Sequence, residues 1–168
     1  LGYREAEDVL LAVDYALRQP GVTWLGALGF SAGGAAVIRA AAQDERIQAL
    51  VAEGNYASLL EEMSPAPGAA LAWLEWQLHP LAAGFYALFT GIWPGQVNPQ
   101  ADLARISPRP VLLIHGQLEL PRTRGARQFE SAAPPKQVWL VPGVGHGGYA
   151  QAGDYALRLV EFFDSVRE

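Results

Sequence analysis

The chain has 168 residues, room for one domain at roughly 150 residues each and little more. Lys plus Arg number 12 against 17 Asp plus Glu, a net charge of −5 with no basic run to neutralise a phosphate backbone, so a nucleic-acid partner is not expected. Hydrophobic residues at 51% and charged ones at 17% exclude disorder, and the absence of cysteine excludes disulfides, thiolate catalysis and Cys-ligated metals.

Leu1-Gly2-Tyr3 opens the chain without Met or a signal segment, so Leu1 reads as a cut rather than a natural start, and a cytoplasmic location is the working expectation. Ala6, Val9, Leu10, Val13, Ala16 and Leu17 recur at helical spacing and predict a helix that stops at Gln19-Pro20-Gly21. Val22 to Phe30 is a short apolar run that predicts a strand buried on both faces, and Gly33 to Ala42 a helix. Ile47 to Ala52 predicts a second strand, ending at Glu53-Gly54-Asn55. Further on, Ala101 to Arg105, Gly125 to Ala133 and Asp154 to Val166 read as helices, and Pro110 to Ile114 and Gln137 to Val141 as strands. This alternation predicts an α/β protein with a mainly parallel sheet and helices on both faces.

Residues 57–100 break the rhythm. They hold three of the five tryptophans (Trp73, Trp76, Trp93), with Phe85, Tyr86 and Phe89, in two or three helix-like pieces, and read as an insertion into a single domain over 1–168. Leu78 to Pro94, interrupted by His79, Pro80 and Gly84, falls short of the ~20 apolar residues of a membrane span.

Gly29-Phe30-Ser31-Ala32-Gly33 is a G-x-S-x-G pattern between a predicted strand and a predicted helix, where a tight turn with flanking glycines would raise the Ser31 hydroxyl above the sheet. The Ala32 N–H at the helix start would then face an oxyanion formed there. The same residues also suit an ordinary glycine-rich turn. A serine nucleophile requires a base and an acid to orient it. His146, in the loop Pro142 to Gly148 after the last strand, is placed to be the base. His115 reads as structural, bonding backbone in the adjoining loop, and His79 as a surface or lid residue. For the acid, Glu119 follows the strand Val111 to Ile114 and gives the order Ser, acid, His; Glu53 at the end of the second strand is the alternative. Glu119 also has the bland reading of a solvated loop carboxylate. Asp102 reads as a first-turn helix residue near the positive dipole end. No G-x-G-x-x-G or metal-ligand spacing is present, so neither cofactor nor metal is expected.

Gly29 to Gly34, Arg109-Pro110-Val111-Leu112-Leu113-Ile114-His115-Gly116 and Val141 to Gly147 together resemble the C-terminal portion of the α/β-hydrolase fold superfamily, in its bacterial serine-esterase and dipeptidyl-peptidase-like branch. In that family the His-Gly-x-x position usually holds Asp, where this chain has Glu119. The resemblance implies that 57–100 is a lid, the alternative being that its aromatics simply pack on the sheet or against a missing half, and that several strands and one oxyanion-hole amide would be supplied by an N-terminal half of the fold that this chain lacks. The strand ending at Phe30 would then be an exposed hydrophobic edge. The expected function is a serine hydrolase cleaving a small-molecule ester, thioester or amide through an acyl-enzyme. An acyltransferase or perhydrolase with the same triad, or a catalytically silent binding protein of this fold, are the competing readings.

Overall fold

A computed structural model describes residues 1–65 and 70–167; residues 66–69 of the expected insertion lie outside it. In chain order the elements are α1 (Glu5–Leu17), β1 (Gly26–Phe30), α2 (Ala32–Gln43), β2 (Ala49–Glu53), α3 (Leu59–Glu62), α4 (Ala72–Thr90), α5 (Pro99–Leu103), β3 (Val111–Gly116), α6 (Leu120–Thr123), α7 (Gly125–Ser131), β4 (Lys136–Val141) and α8 (Tyr155–Ser165). Single 3-10 turns lie at Pro94–Gln96 and Tyr149–Gln151.

The four strands form one parallel sheet in the order β1-β2-β3-β4. Side-chain alternation along β2 and β3 sorts the core into two layers. Leu50 and Ala52, with Val111 and Leu113, pack beneath Ala6 and Val13 of α1, Val37 and Ile38 of α2 and Leu103 of α5. Ala49 and Val51, with Leu112 and Ile114, face Phe162 of α8, with Trp24, Trp139 and Phe163 partly buried around them. Every residue of β2 and β3 is buried, as parallel strands covered by helices on both faces must be. Complete burial of Leu113 or Ile114 contributes about 1.5–3 kcal/mol each. Arg109 closes the end of α2: its guanidinium donates to the carbonyl of Ala41 (2.7 Å) in the last turn and to those of Asp44 (2.9 Å) and Ile47 (2.9 Å) just beyond the helix.

Three local expectations are corrected. The first strand begins at Gly26 rather than Val22, because pairing starts where Gly26 meets Ala49; before that, the Leu25 N–H takes the Gln48 side chain. Nor is β1 buried on both faces: Leu28 and Phe30 are each 43% exposed, since no strand lies beyond β1 among the described residues. His115, on β3, makes no bond to loop backbone; it is fully buried and both ring nitrogens lack a hydrogen-bond partner.

Between β2 and β3, the described residues of 57–100 form α3, α4, the turn at Pro94 and the start of α5. Helix α4 runs unbroken through Pro80, and only Ala83 on it is buried. His79 ties α4 to α3 through contacts from Nε2 to the Leu60 carbonyl (3.1 Å) and Ser64 Oγ (3.3 Å). Asp102 lies in the first turn of α5, paired with Arg39 (3.7 Å) and Arg105 (3.6 Å). Burial raises its pKa, against the two arginines.

Candidate active site

The strand-to-helix turn at Ser31 is strained. Ser31 has φ 55° and ψ −119°, a conformation that L-residues rarely adopt and that costs about 1–3 kcal/mol. The close approach that permits the turn is between Gly29 and the helix start: a Cβ on Gly29 would lie 2.3 Å from the Gly33 carbonyl oxygen, and one on Gly34 2.9 Å from Asn55 Cβ. Gly33 itself faces open space, so the second glycine that the packing requires is Gly34, one position beyond the motif. Ala32 opens α2, where backbone N–H groups have no intrahelical acceptor and the positive dipole end is nearest.

His146 reaches Ser31 from the loop after β4. Its Nε2 lies 3.0 Å from Ser31 Oγ, and its Nδ1 lies 2.8 Å from Glu119 Oε2. The Phe30 ring lies beneath the imidazole with 4.8 Å between ring centres. Glu119 sits just past β3 and is 7% exposed, so it is not a solvated loop carboxylate. Its other oxygen, Oε1, accepts the Gly116 N–H at 2.8 Å and the Tyr149 hydroxyl. Burial, followed by the bond to Glu119, pushes the Tyr149 hydroxyl pKa well above its ordinary value, which keeps the phenol protonated and donating.

Glu53 and His146 do not form a pair. The Glu53 carboxylate instead accepts the Tyr155 hydroxyl at 2.7 Å, and burial raises its pKa. The same burial, with the neighbouring carboxylate, pushes Tyr155 up to about 12. The Glu53 backbone carbonyl does take part in shaping the turn, accepting the Ser31 N–H at 2.7 Å. His115 lies 4.0 Å from Glu119 Oε1, and desolvation holds its pKa down at about 4, against the pull of Glu119.

Tyr149 and Gly54 also belong to the site, although neither stands out in the sequence. Tyr149 follows His146 by only three residues, but a tyrosine beside two glycines carries no distinctive signal. Gly54 has φ +55°, and a Cβ there would collide with the Tyr149 hydroxyl and come within 3.0 Å of His146 Nδ1. Its bare backbone is therefore what lets both rings cross the end of β2. Nearby, the buried Gln128 side chain donates to the carbonyls of Asn55 (2.9 Å) and Thr123 (2.7 Å), fastening the β2 loop to α6 and α7.

A cavity of about 190 Å³ opens beside Ser31 and His146, with Tyr56, Glu62 and Arg122 on its wall. Arg122 donates to Glu62 Oε1 at 2.9 Å, joining the helix after Glu119 to α3. Among the described residues, no group of three or more His, Asp or Glu is arranged to hold a metal ion, and no helix is long and apolar enough to cross a membrane.

The parallel sheet with helices on both faces is that of the α/β-hydrolase fold, and solved structures of that fold are similar to this chain. The α/β hydrolase GrgF from Penicillium sp. sh18 matches with a TM-score of 0.70 at 19% identity, over 98% of this chain and 72% of that one. The acylaminoacyl peptidase of Pyrococcus horikoshii matches with 0.68 at 17% identity, over 98% of this chain and 28% of that one. The crystal structure of the hypothetical protein PA2218 from Pseudomonas aeruginosa gives 0.68 at 20% identity, over 96% and 67%. In sequence, 44 residues of this chain (26%) are 43% identical to PA2218, a stretch that spans 12% of that curated relative. No protein-family model matches the chain.

Proposed function

We propose that the chain carries the catalytic centre of a serine hydrolase that cleaves a small-molecule ester, thioester or amide through an acyl-enzyme. The observation that carries this reading is the continuous relay Ser31 Oγ, His146 Nε2, His146 Nδ1, Glu119 Oε2, with both contacts at hydrogen-bond distance. With Nδ1–H donated to Glu119, Nε2 keeps a lone pair for the Ser31 proton. As Ser31 Oγ bonds to the substrate carbonyl carbon, that proton passes to His146, and Glu119 stabilises the imidazolium. The carbonyl oxygen becomes an oxyanion, for which the Ala32 N–H is the candidate donor. Collapse expels the leaving group, which takes the proton from His146, and water then repeats the sequence on the acyl-Ser31 bond. The half-exposed His146 ring is consistent with that exchange of leaving group for water.

The described residues of 57–100 are proposed as a cover over this centre. Glu62 of α3 lines the same cavity as Ser31, and α3 is tied to α4 through His79. The test is a serine-directed fluorophosphonate followed by peptide mapping. The expected adduct is on Ser31, abolished in His146→Ala; no adduct, or one on another serine, would overturn the assignment.

A further inference from the structure

The candidate acid is held from more directions than a single imidazole contact requires. Gly116 N–H reaches Glu119 Oε1 from within the same turn, since the Glu119 N–H in turn bonds the Gly116 carbonyl at 3.1 Å. A local tether of that kind fixes one oxygen but leaves the carboxylate plane free to rotate about it. The Tyr149 hydroxyl donates to the same oxygen, out of the loop that also carries His146. With both donors on Oε1, Oε2 is left for His146 Nδ1.

We propose that Tyr149 is a positioning residue for Glu119, setting the carboxylate plane so that it can hold the His146 tautomer; the inference rests on the assignment of Ser31, His146 and Glu119 as the relay. Two further features support it. The phenol ring is 2% exposed and packs edge-on against Phe30 at 6.0 Å, so the hydroxyl has little freedom to leave. The path between Tyr149 and Glu119 is clear only because position 54 lacks a side chain, where a Cβ would collide with that hydroxyl. Buried hydroxyls are satisfied somewhere in most folds; here the acceptor is the one group whose orientation the relay needs fixed.

The test uses Tyr149→Phe, which removes one oxygen and keeps the ring, in the wild-type and Glu119→Ala backgrounds. With a short-chain p-nitrophenyl ester, kcat is expected to fall about ten- to hundred-fold in the wild-type background with KM nearly unchanged, the loss expected for one hydrogen bond to a charged group. In Glu119→Ala, where there is no carboxylate to position, Tyr149→Phe is expected to change kcat less than about two-fold. The second readout does not depend on turnover: the downfield NMR resonance of the His146 Nδ1 proton should shift or broaden in Tyr149→Phe, also when Ser31 is replaced by Ala. An equal loss of kcat in both backgrounds, or an unchanged Nδ1 resonance, overturns the proposal. Failure of the hydrolase reading would appear separately, as an absence of Ser31 acylation, and the resonance would still decide the role of Tyr149.

Discussion

A serine hydroxyl is a weak nucleophile at neutral pH, and a relay raises its reactivity only when each member is present. Ser31→Ala and His146→Ala are therefore each expected to lower ester turnover on the order of 10⁴-fold or more, and the double variant to cost little beyond either alone. Losses in steady-state kinetics that multiply would show that the two do not act as a unit. Gly54 gives a second prediction at this scale. Gly54→Ala forces a Cβ into the Tyr149 hydroxyl at a backbone φ of +55°, and the left-handed conformation alone costs an L-residue about 1–2 kcal/mol. A lower melting temperature together with lower turnover is expected; an unchanged melting temperature would mean that the two rings move aside freely. The pairing of Ser31 with His146 was legible in the sequence because the G-x-S-x-G turn after a strand and the loop after the last strand constrain where they lie. Tyr149 and Gly54 were not, because their importance arises from a crossing of two loops that no local pattern records. The second necessary glycine of the turn was misplaced for the same reason: the motif names Gly33, while Asn55, from another element, meets position 34.

At the scale of elements, strands β2 and β3 were readable as apolar runs because burial on both faces removes polar residues from them. Their boundaries were less so, since β1 starts where its partner Ala49 allows and not where its own apolar run begins. His115 illustrates what a strand reading leaves out. A histidine at the end of an apolar strand is expected to bond a nearby loop, yet both its nitrogens are unpartnered and it stays neutral when folded down to about pH 4. The unfolded imidazole takes up its proton near 6.5. Below that pH the unfolded chain binds the extra proton first, so this group's contribution is complete above 6.5 and is lost as pH falls towards 4, by about 3 kcal/mol in all. His115→Leu removes the titration, so its urea midpoint should fall less than that of the wild type between pH 7 and about 4.5. An equal fall in both would mean that His115 is charged in the folded state or that it never charges in the unfolded one. Helix α4 shows the opposite limit: two or three helix-like pieces are expected there, yet one helix runs through Pro80, since a proline removes a single N–H bond, with Trp73, Trp76, Phe85 and Phe89 more than half exposed.

For the whole molecule, the sheet order places the serine-bearing strand at an edge. β1 pairs with β2 on one side, and on its other side no strand is present among the described residues. Edge strands in soluble proteins are commonly protected by charge, proline or a bulge, and the five residues of β1, Gly-Ala-Leu-Gly-Phe, contain none of the first two. Leu28 and Phe30 add exposed apolar surface along that edge. A free row of backbone donors and acceptors flanked by apolar side chains favours pairing with another strand, so the chain is expected to self-associate as its concentration rises. Sedimentation velocity over a range of concentrations measures this directly. Leu28→Lys places a charge on the edge without touching Ser31, His146 or Glu119, and its expected effect is to shift the distribution towards the monomer while Ser31 still accepts a fluorophosphonate. A wild type that is monomeric throughout means that the β1 edge does not pair; if it associates and Leu28→Lys leaves association unchanged, the contact lies elsewhere on the surface, with the exposed aromatics of α4 the next place to introduce a charge.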